Sequence, residues 1–137
     1  MDVMTEIDIA RPRAEVAAYA ADPDNATAWY ENIERVERKT ESRVAFVARF
    51  LGRRLAYTYE IVELVPGERL VMRTADGPFP METTYTWADD GRGGTRMTLR
   101  NRGEPSGFSS VAAPLLASAM RRANRKDLDN LKELLET

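Results

Sequence analysis

The sequence predicts an α+β domain in which a curled antiparallel sheet wraps around one long C-terminal helix. Three observations carry that prediction. From residue 33 to residue 102, apolar side chains repeat with a period of two in one segment after another. Beyond GEPSG the period turns helical and stays so to the last residue. The chain has 137 residues, near the commonest size of one domain, with no linker, repeat or low-complexity tract, so residues 1–137 are expected to form a single unit.

Residues 3–9 (VMTEIDI) alternate and predict the first strand. Arg11-Pro12 opens a helix with Pro at its first position, where a missing N–H costs nothing. Val16, Tyr19 and Ala20 keep helical spacing. Asp22-Pro23 restarts a short helix, with Asp22 as its N-cap, ending near Trp29-Tyr30. Strands are expected over 33–40 and 43–51, the second with Val44, Phe46, Ala48 and Phe50 on one face. Gly52-Arg53 turns the chain into 54–65, where Leu55, Tyr57, Tyr59 and Ile61 share a face. Pro66-Gly67 turns it again into 69–74, with Leu70 and Met72 inward.

The stretch TADGPFPMETTYTW (74–87) then breaks at Gly-Pro-Phe-Pro, where Gly77 permits a positive φ. Past the break, Phe79, Met81, Thr83, Tyr85 and Trp87 alternate inward. Asp89 to Gly94 reads as a hairpin loop, and 95–102 places Met97, Leu99 and Asn101 on the inner side. Ser109 or Ser110 caps the final helix, and Pro114 falls in its first turns. Some 25 residues of helix would span roughly 38 Å. Six meandering strands cannot cover their own inner face while flat, so the sheet must curl around that helix.

Composition excludes several chemistries. There is no cysteine and no histidine. Disulfides, thiolate nucleophiles, a Ser-His-Asp triad, a His base and imidazole-built metal sites are therefore absent, and no metal or cofactor is expected. A formal net charge of −2 gives no general attraction to nucleic acid or anionic lipid. No apolar run approaches the ~20 residues of a membrane span. The opening MDVMTEIDI carries acids early and is unlike a signal peptide, so a cytoplasmic location is expected.

Arg121, Arg122, Arg125 and Lys126 alternate with Asp127, Asp129 and Glu133 on the long helix, which reads as a solvated outer face. Glu60, Arg73 and Glu82 fall on the outward phase of their strands, so no carboxylate is expected inside unless a β-bulge shifts the phase.

The order of elements resembles the helix-grip fold of the START-like, or SRPBCC, superfamily. IARPRAEVAAYAADPDNATAWY resembles the strand-to-helix entry of its polyketide cyclase/dehydrase branch, and YTYEIVELVPGERLVMRT with GPFPMETTYTW resembles its central strands. The resemblance covers essentially the whole chain. It implies about seven strands, two short helices between strands 1 and 2, and a cavity between sheet and C-terminal helix. Family members bind lipids, sterols, polyketides or other apolar molecules, and some catalyse reactions there.

The residues leave two readings of the interior. A filled core is the plain one. The N-terminal half of the helix, however, is built of Ala112, Ala113, Ala117, Ala119 and Ala123, while Leu128, Leu131, Leu134 and Leu135 fill space further on. Under a curled sheet, alanines favour a void. The expected lining is Phe46, Phe50, Tyr57, Tyr59, Met72, Phe79, Met81, Thr83, Tyr85, Met97, Leu99, Asn101, Leu116 and Met120. Asn124, one turn beyond Met120, shares that face. Trp29-Tyr30 would cap one end of the core or gate the mouth. The expected partner is a small hydrophobic ligand, with a homodimer left open. A carrier or sensor leads. A cofactor-free cyclase or dehydratase using Tyr57, Tyr59 and Asn101 is the alternative, and a protein-interaction module with a filled core is the third.

Overall fold

The computed structural model describes residues 1–104 and 113–137. Seven antiparallel strands form one curled sheet: β1 Asp2–Ile9, β2 Ile33–Arg38, β3 Arg43–Phe50, β4 Arg53–Val65, β5 Arg69–Asp76, β6 Met81–Asp89 and β7 Thr95–Gly103. Their spatial order is β1-β7-β6-β5-β4-β3-β2. Strands β2 to β7 meander, and the chain's first strand closes the far side by pairing with its last. Between β1 and β2 lie α1 Arg13–Ala21, a 3₁₀ turn Pro23–Asn25 and α2 Ala26–Trp29. The long helix α3, Ala113–Glu136, has 24 residues and spans about 36 Å. This is the helix-grip architecture.

Local chemistry sets the boundaries. Pro12 stands at the N-cap of α1 rather than inside it, and its carbonyl accepts from the N–H groups of Glu15 and Val16 at 3.0 and 3.1 Å. Asp22 caps the 3₁₀ turn as expected, its carboxylate accepting from the Asp24 N–H at 3.0 Å. The caps expected at Ser109 or Ser110 lie outside the described residues. Gly77 does not adopt a positive φ. Its role is close approach: a Cβ there would meet the Tyr57 Cβ at 2.9 Å. Register shifts at Val62 and Ala75, one on each side of the β4–β5 pair, let those long strands bend.

The core collects Ile9, Val16, Trp29, Leu70, Trp87, Met97, Leu99, Leu128 and Leu131. Helix α3 packs chiefly over β1. As an edge strand, β1 has backbone carbonyls with no strand beside them, and α3 covers two of these. The Arg125 guanidinium donates to the Glu6 carbonyl at 2.8 Å, and Lys132 Nζ donates to the Asp8 carbonyl at 2.7 Å. The mixed-charge face of the helix is thus a seam along β1 as well as a solvated surface. Leu134, expected to fill space, is 44% exposed and faces away. Among the described residues no helix is long and apolar enough to cross a membrane.

Because Leu131 is fully buried and Leu134 is not, the two should respond differently to truncation. Leu131→Ala is expected to cost about 2–5 kcal/mol in urea unfolding, and Leu134→Ala within about 0.5 kcal/mol.

Candidate ligand cavity

Helix α3 covers the β1 side of the inner face and leaves the opposite side uncovered. There the sheet, α2 and the middle of α3 surround a cavity of about 130 Å³. One water needs roughly 10–15 Å³ of such space, so the cavity has room for a small molecule.

Each strand contributes its inward phase. Strand β3 gives Phe46, Ala48 and Phe50, and β4 gives Leu55, Tyr57, Tyr59 and Ile61. Strand β5 adds Leu70, Met72 and Thr74, β6 adds Met81, Thr83 and Tyr85, and β7 adds only Asn101. Pro78 and Phe79 come from the β5–β6 turn, Trp29 and Tyr30 from the end of α2, and Met120, Ala123, Asn124 and Asp127 from α3. The aromatic rings brace one another. Phe46 stacks on Tyr57 at 5.4 Å and meets Tyr59 edge-on at 5.9 Å, while Trp29 lies 4.2 Å from Tyr30 and 5.8 Å from Tyr85. Rings held in such contacts cannot easily swing inward to fill the space.

Eleven of the fourteen residues expected at this wall lie in it: Phe46, Phe50, Tyr57, Tyr59, Met72, Phe79, Met81, Thr83, Tyr85, Asn101 and Met120. Met97, Leu99 and Leu116 do not. All three are buried away from the cavity, Met97 and Leu99 in the core. Strand β7 lies beside β1, where the helix sits directly on the sheet, so its inward residues pack solidly except at Asn101. The alanine argument also shifts. Ala112 lies outside the described residues, and of the others only Ala123 borders the cavity. The cavity faces the middle of α3, not its N-terminal half.

Two polar systems enter this apolar wall. The first is a chain of hydrogen bonds across the sheet to the helix. Thr83 Oγ1 donates to Asn101 Oδ1 at 2.6 Å, which leaves Tyr59 OH to donate to Thr83 at 2.9 Å. Asn101 Nδ2 then donates to Asn124 Oδ1 at 3.1 Å. Every proton points toward α3, and the chain ends at Asn124 Nδ2, which has no partner among the described residues. Burial pushes the Tyr59 phenol up to about 12.

The second system gathers at the end of α2. Tyr30 and Tyr85 share a hydroxyl–hydroxyl hydrogen bond, and burial raises both phenols well above their ordinary value. Tyr57 is raised by burial as well. Asp127 faces this group from α3. It is 3% exposed, and its Oδ1 accepts from the Glu31 N–H at 3.0 Å. Burial raises its carboxyl to about 7, against that one hydrogen bond, which favours the charged form.

Asp127 is the residue that the sequence reading placed wrongly, on a solvated face. A signal existed. Met120, Asn124, Asp127 and Leu131 follow the spacing of one helical stripe, and the mixed charges around Asp127 masked it. The β-bulges bring in no carboxylate. Glu82 stays on the outer face, where Arg102 at 2.5 Å and Arg73 at 2.7 Å hold its carboxyl below the usual range. Trp29 is 1% exposed and the Asn130 side chain donates to its carbonyl at 3.2 Å, so it caps the core and lines the cavity at once. Among the described residues no cluster of three acidic side chains suits a metal ion.

Comparison with known proteins agrees with this architecture. Residues 1–136 match the family described as polyketide cyclase / dehydrase and lipid transport. A Thermus thermophilus protein of known structure is 23% identical, with 97% of this chain and 95% of that chain covered and a TM-score of 0.85. A START superfamily protein from Mycobacterium smegmatis is 12% identical, covering 98% and 97%, with a TM-score of 0.87. The Zhui aromatase/cyclase from Streptomyces sp. R1128 is 17% identical, covering 99% and 93%, with a TM-score of 0.83. No curated protein matches the chain. With its sheet, gripped helix and cavity in place, and with the family match running from residue 1 to residue 136, this chain belongs to the polyketide cyclase / dehydrase and lipid transport family of the START-like superfamily.

Proposed function

We propose that the domain is a cytoplasmic carrier or sensor that encloses a small apolar or amphipathic molecule between its sheet and α3. One observation carries this reading: a braced aromatic wall leaves a cavity that only a few polar groups enter, the usual composition of a small-molecule site. Trp29 borders the cavity, so its fluorescence should report occupancy. Titration with a panel of aromatic and acyl compounds is expected to give saturable changes in the natural chain. Ala123→Phe projects a ring into the same space and is expected to weaken binding at least tenfold while the far-ultraviolet circular dichroism stays unchanged. Absence of binding in the natural chain sinks the reading.

Asp127 favours a second reading, a cofactor-free cyclase or dehydratase acting on a polyketide-like substrate. A carboxyl that titrates near neutrality can take or give a proton at working pH. The tyrosines are poorer bases. Burial holds Tyr57 and Tyr59 neutral, which suits them to donate hydrogen bonds to enol and carbonyl oxygens. Under this reading Asp127→Asn lowers turnover by about 10²–10⁴-fold and leaves ligand affinity nearly intact. Equal loss of binding and turnover would assign Asp127 a structural part instead.

Either way, Asp127 ties stability to pH. In the unfolded chain it titrates near 3.8, and in the folded state near 7. The folded state therefore binds more protons between these values, and stability falls as pH rises from about 4 to about 7. The loss approaches about 4 kcal/mol at 1.36 kcal/mol per pH unit. In the Asp127→Asn variant the amide oxygen can still accept from the Glu31 N–H, and there is no charge to bury. Urea unfolding should show Asp127→Asn gaining stability relative to the natural chain between pH 5 and pH 8. A constant difference across that range would overturn the assignment.

A further inference from the structure

Two of the three buried polar atoms that lack a partner among the described residues belong to the cavity wall, and both are N–H donors: Trp29 Nε1 and Asn124 Nδ2. Their residues are 1% and 2% exposed. An unpaired buried donor costs roughly 1–3 kcal/mol, so two at one cavity need a reason.

The wall's other polar groups lean the same way. In the Tyr30–Tyr85 pair one hydroxyl donates and the other accepts, which leaves one proton over whichever way the bond runs. The acceptors along the sheet are already used. Thr83 takes the Tyr59 proton, Asn101 Oδ1 takes the Thr83 proton, and Asn124 Oδ1 takes an N–H of Asn101. Asp127 keeps its proton to higher pH than an ordinary carboxyl, which makes it a donor over much of the range. Trp29, Tyr30 and Asp127 belong to one corner of the cavity, joined by the bonds from Glu31 N–H to Asp127 and from Asn130 to the Trp29 carbonyl. Asn124 stands one helical turn from Asp127 on the same stripe.

We propose that this donor-rich corner selects a ring-bearing ligand by its acceptor oxygen, of ketone, ester or quinone type, and that Asn124 Nδ2 is the group that reads it. The inference rests on the carrier reading and narrows its ligand class. A hydrocarbon of the same shape would fill the aromatic wall but leave the N–H groups unpaired. A carbonyl oxygen pairs one of them and brings no proton of its own. The hydrogen-bond chain behind Asn124 sets its orientation: Asn101 occupies the Asn124 oxygen, so the amide presents its nitrogen.

The test uses a matched pair of probes, 1-tetralone and tetralin, which differ by one carbonyl. Isothermal titration at pH 6.5 follows both with the full chain. The ketone is expected to bind about tenfold tighter than the hydrocarbon, the effect of one buried donor gaining its partner. Asn124→Leu removes the donor at similar volume. Asn124→Asp keeps an acceptor for Asn101 and removes the amide N–H, so it guards against collapse of the chain. Both variants are expected to bring the ketone down to the hydrocarbon's affinity and to leave tetralin within about twofold. Equal binding of the two probes by the natural chain, or survival of the ketone preference in either folded variant, overturns the assignment of Asn124 while the carrier reading stands. Failure of both probes to bind overturns both.

Discussion

One helix must serve a seven-stranded sheet, and where that helix sits decides everything else. An α-helix is about 10 Å across, too narrow to cover the inner face of seven strands. Here α3 is drawn to the β1 side. Leu128 and Leu131 bury against the core, and Arg125 and Lys132 reach over to the edge carbonyls of Glu6 and Asp8. An edge strand with free carbonyls is a liability in itself, so the same contacts that seal the edge also fix the helix off centre. The opposite half of the sheet is left to α2 and to its own aromatic side chains. Those rings are too large and too tightly braced to collapse into the gap. The cavity is thus a consequence of lopsided coverage, not of any residue designed to hold it open.

That placement also explains the chemistry of the wall. A helix pressed against one side of a concave sheet has a stripe directed across the hollow. On α3 the stripe carries Met120, Ala123, Asn124 and Asp127. Asn124 meets the sheet through Asn101, and Asp127 meets the end of α2 through the Glu31 N–H. The two polar residues therefore act as struts that hold the helix to both sides of the hollow. They do it at a cost, since each brings a polar group out of water with only part of its bonding capacity satisfied.

How much of this was legible in the sequence differs from element to element. The strands announced themselves, because a period of two with one apolar face admits only one register of side chains. That is why the inward phases of β3, β4 and β6 could be read residue by residue. The division of that inner face into a packed half and a hollow half could not. Met97 and Leu99 have the same phase as Asn101, yet they lie under the helix and it lies at the cavity. No local pattern encodes which strands a remote helix will sit on. Asp127 was hidden for the opposite reason. Its neighbours Arg125, Lys126 and Asp129 carry charge, and that charge outweighed the stripe from Met120 to Leu131. Gly77 was read as a turn glycine, when its constraint is the approach of Tyr57 from the next strand.

The unsatisfied groups bear on how such a cavity can be tolerated at all. A protein of this size has about 5–15 kcal/mol of net stability. Two unpaired donors and a buried carboxyl together consume a sizeable share of it. Random drift would replace Asn124 by leucine and Asp127 by asparagine or alanine if stability alone were at stake, since such changes are easily found and add stability. Groups of this kind make physical sense when something else completes their bonding. A molecule that enters the cavity and accepts from the corner of Trp29, Asn124 and Asp127 would restore bonds that the protein alone leaves unmade. Its binding free energy would then include the relief of that deficit, and the folded state would gain stability with ligand concentration by mass action. The polar corner is therefore best understood as half of a hydrogen-bonding surface, built into a fold whose helix position guarantees room for the other half.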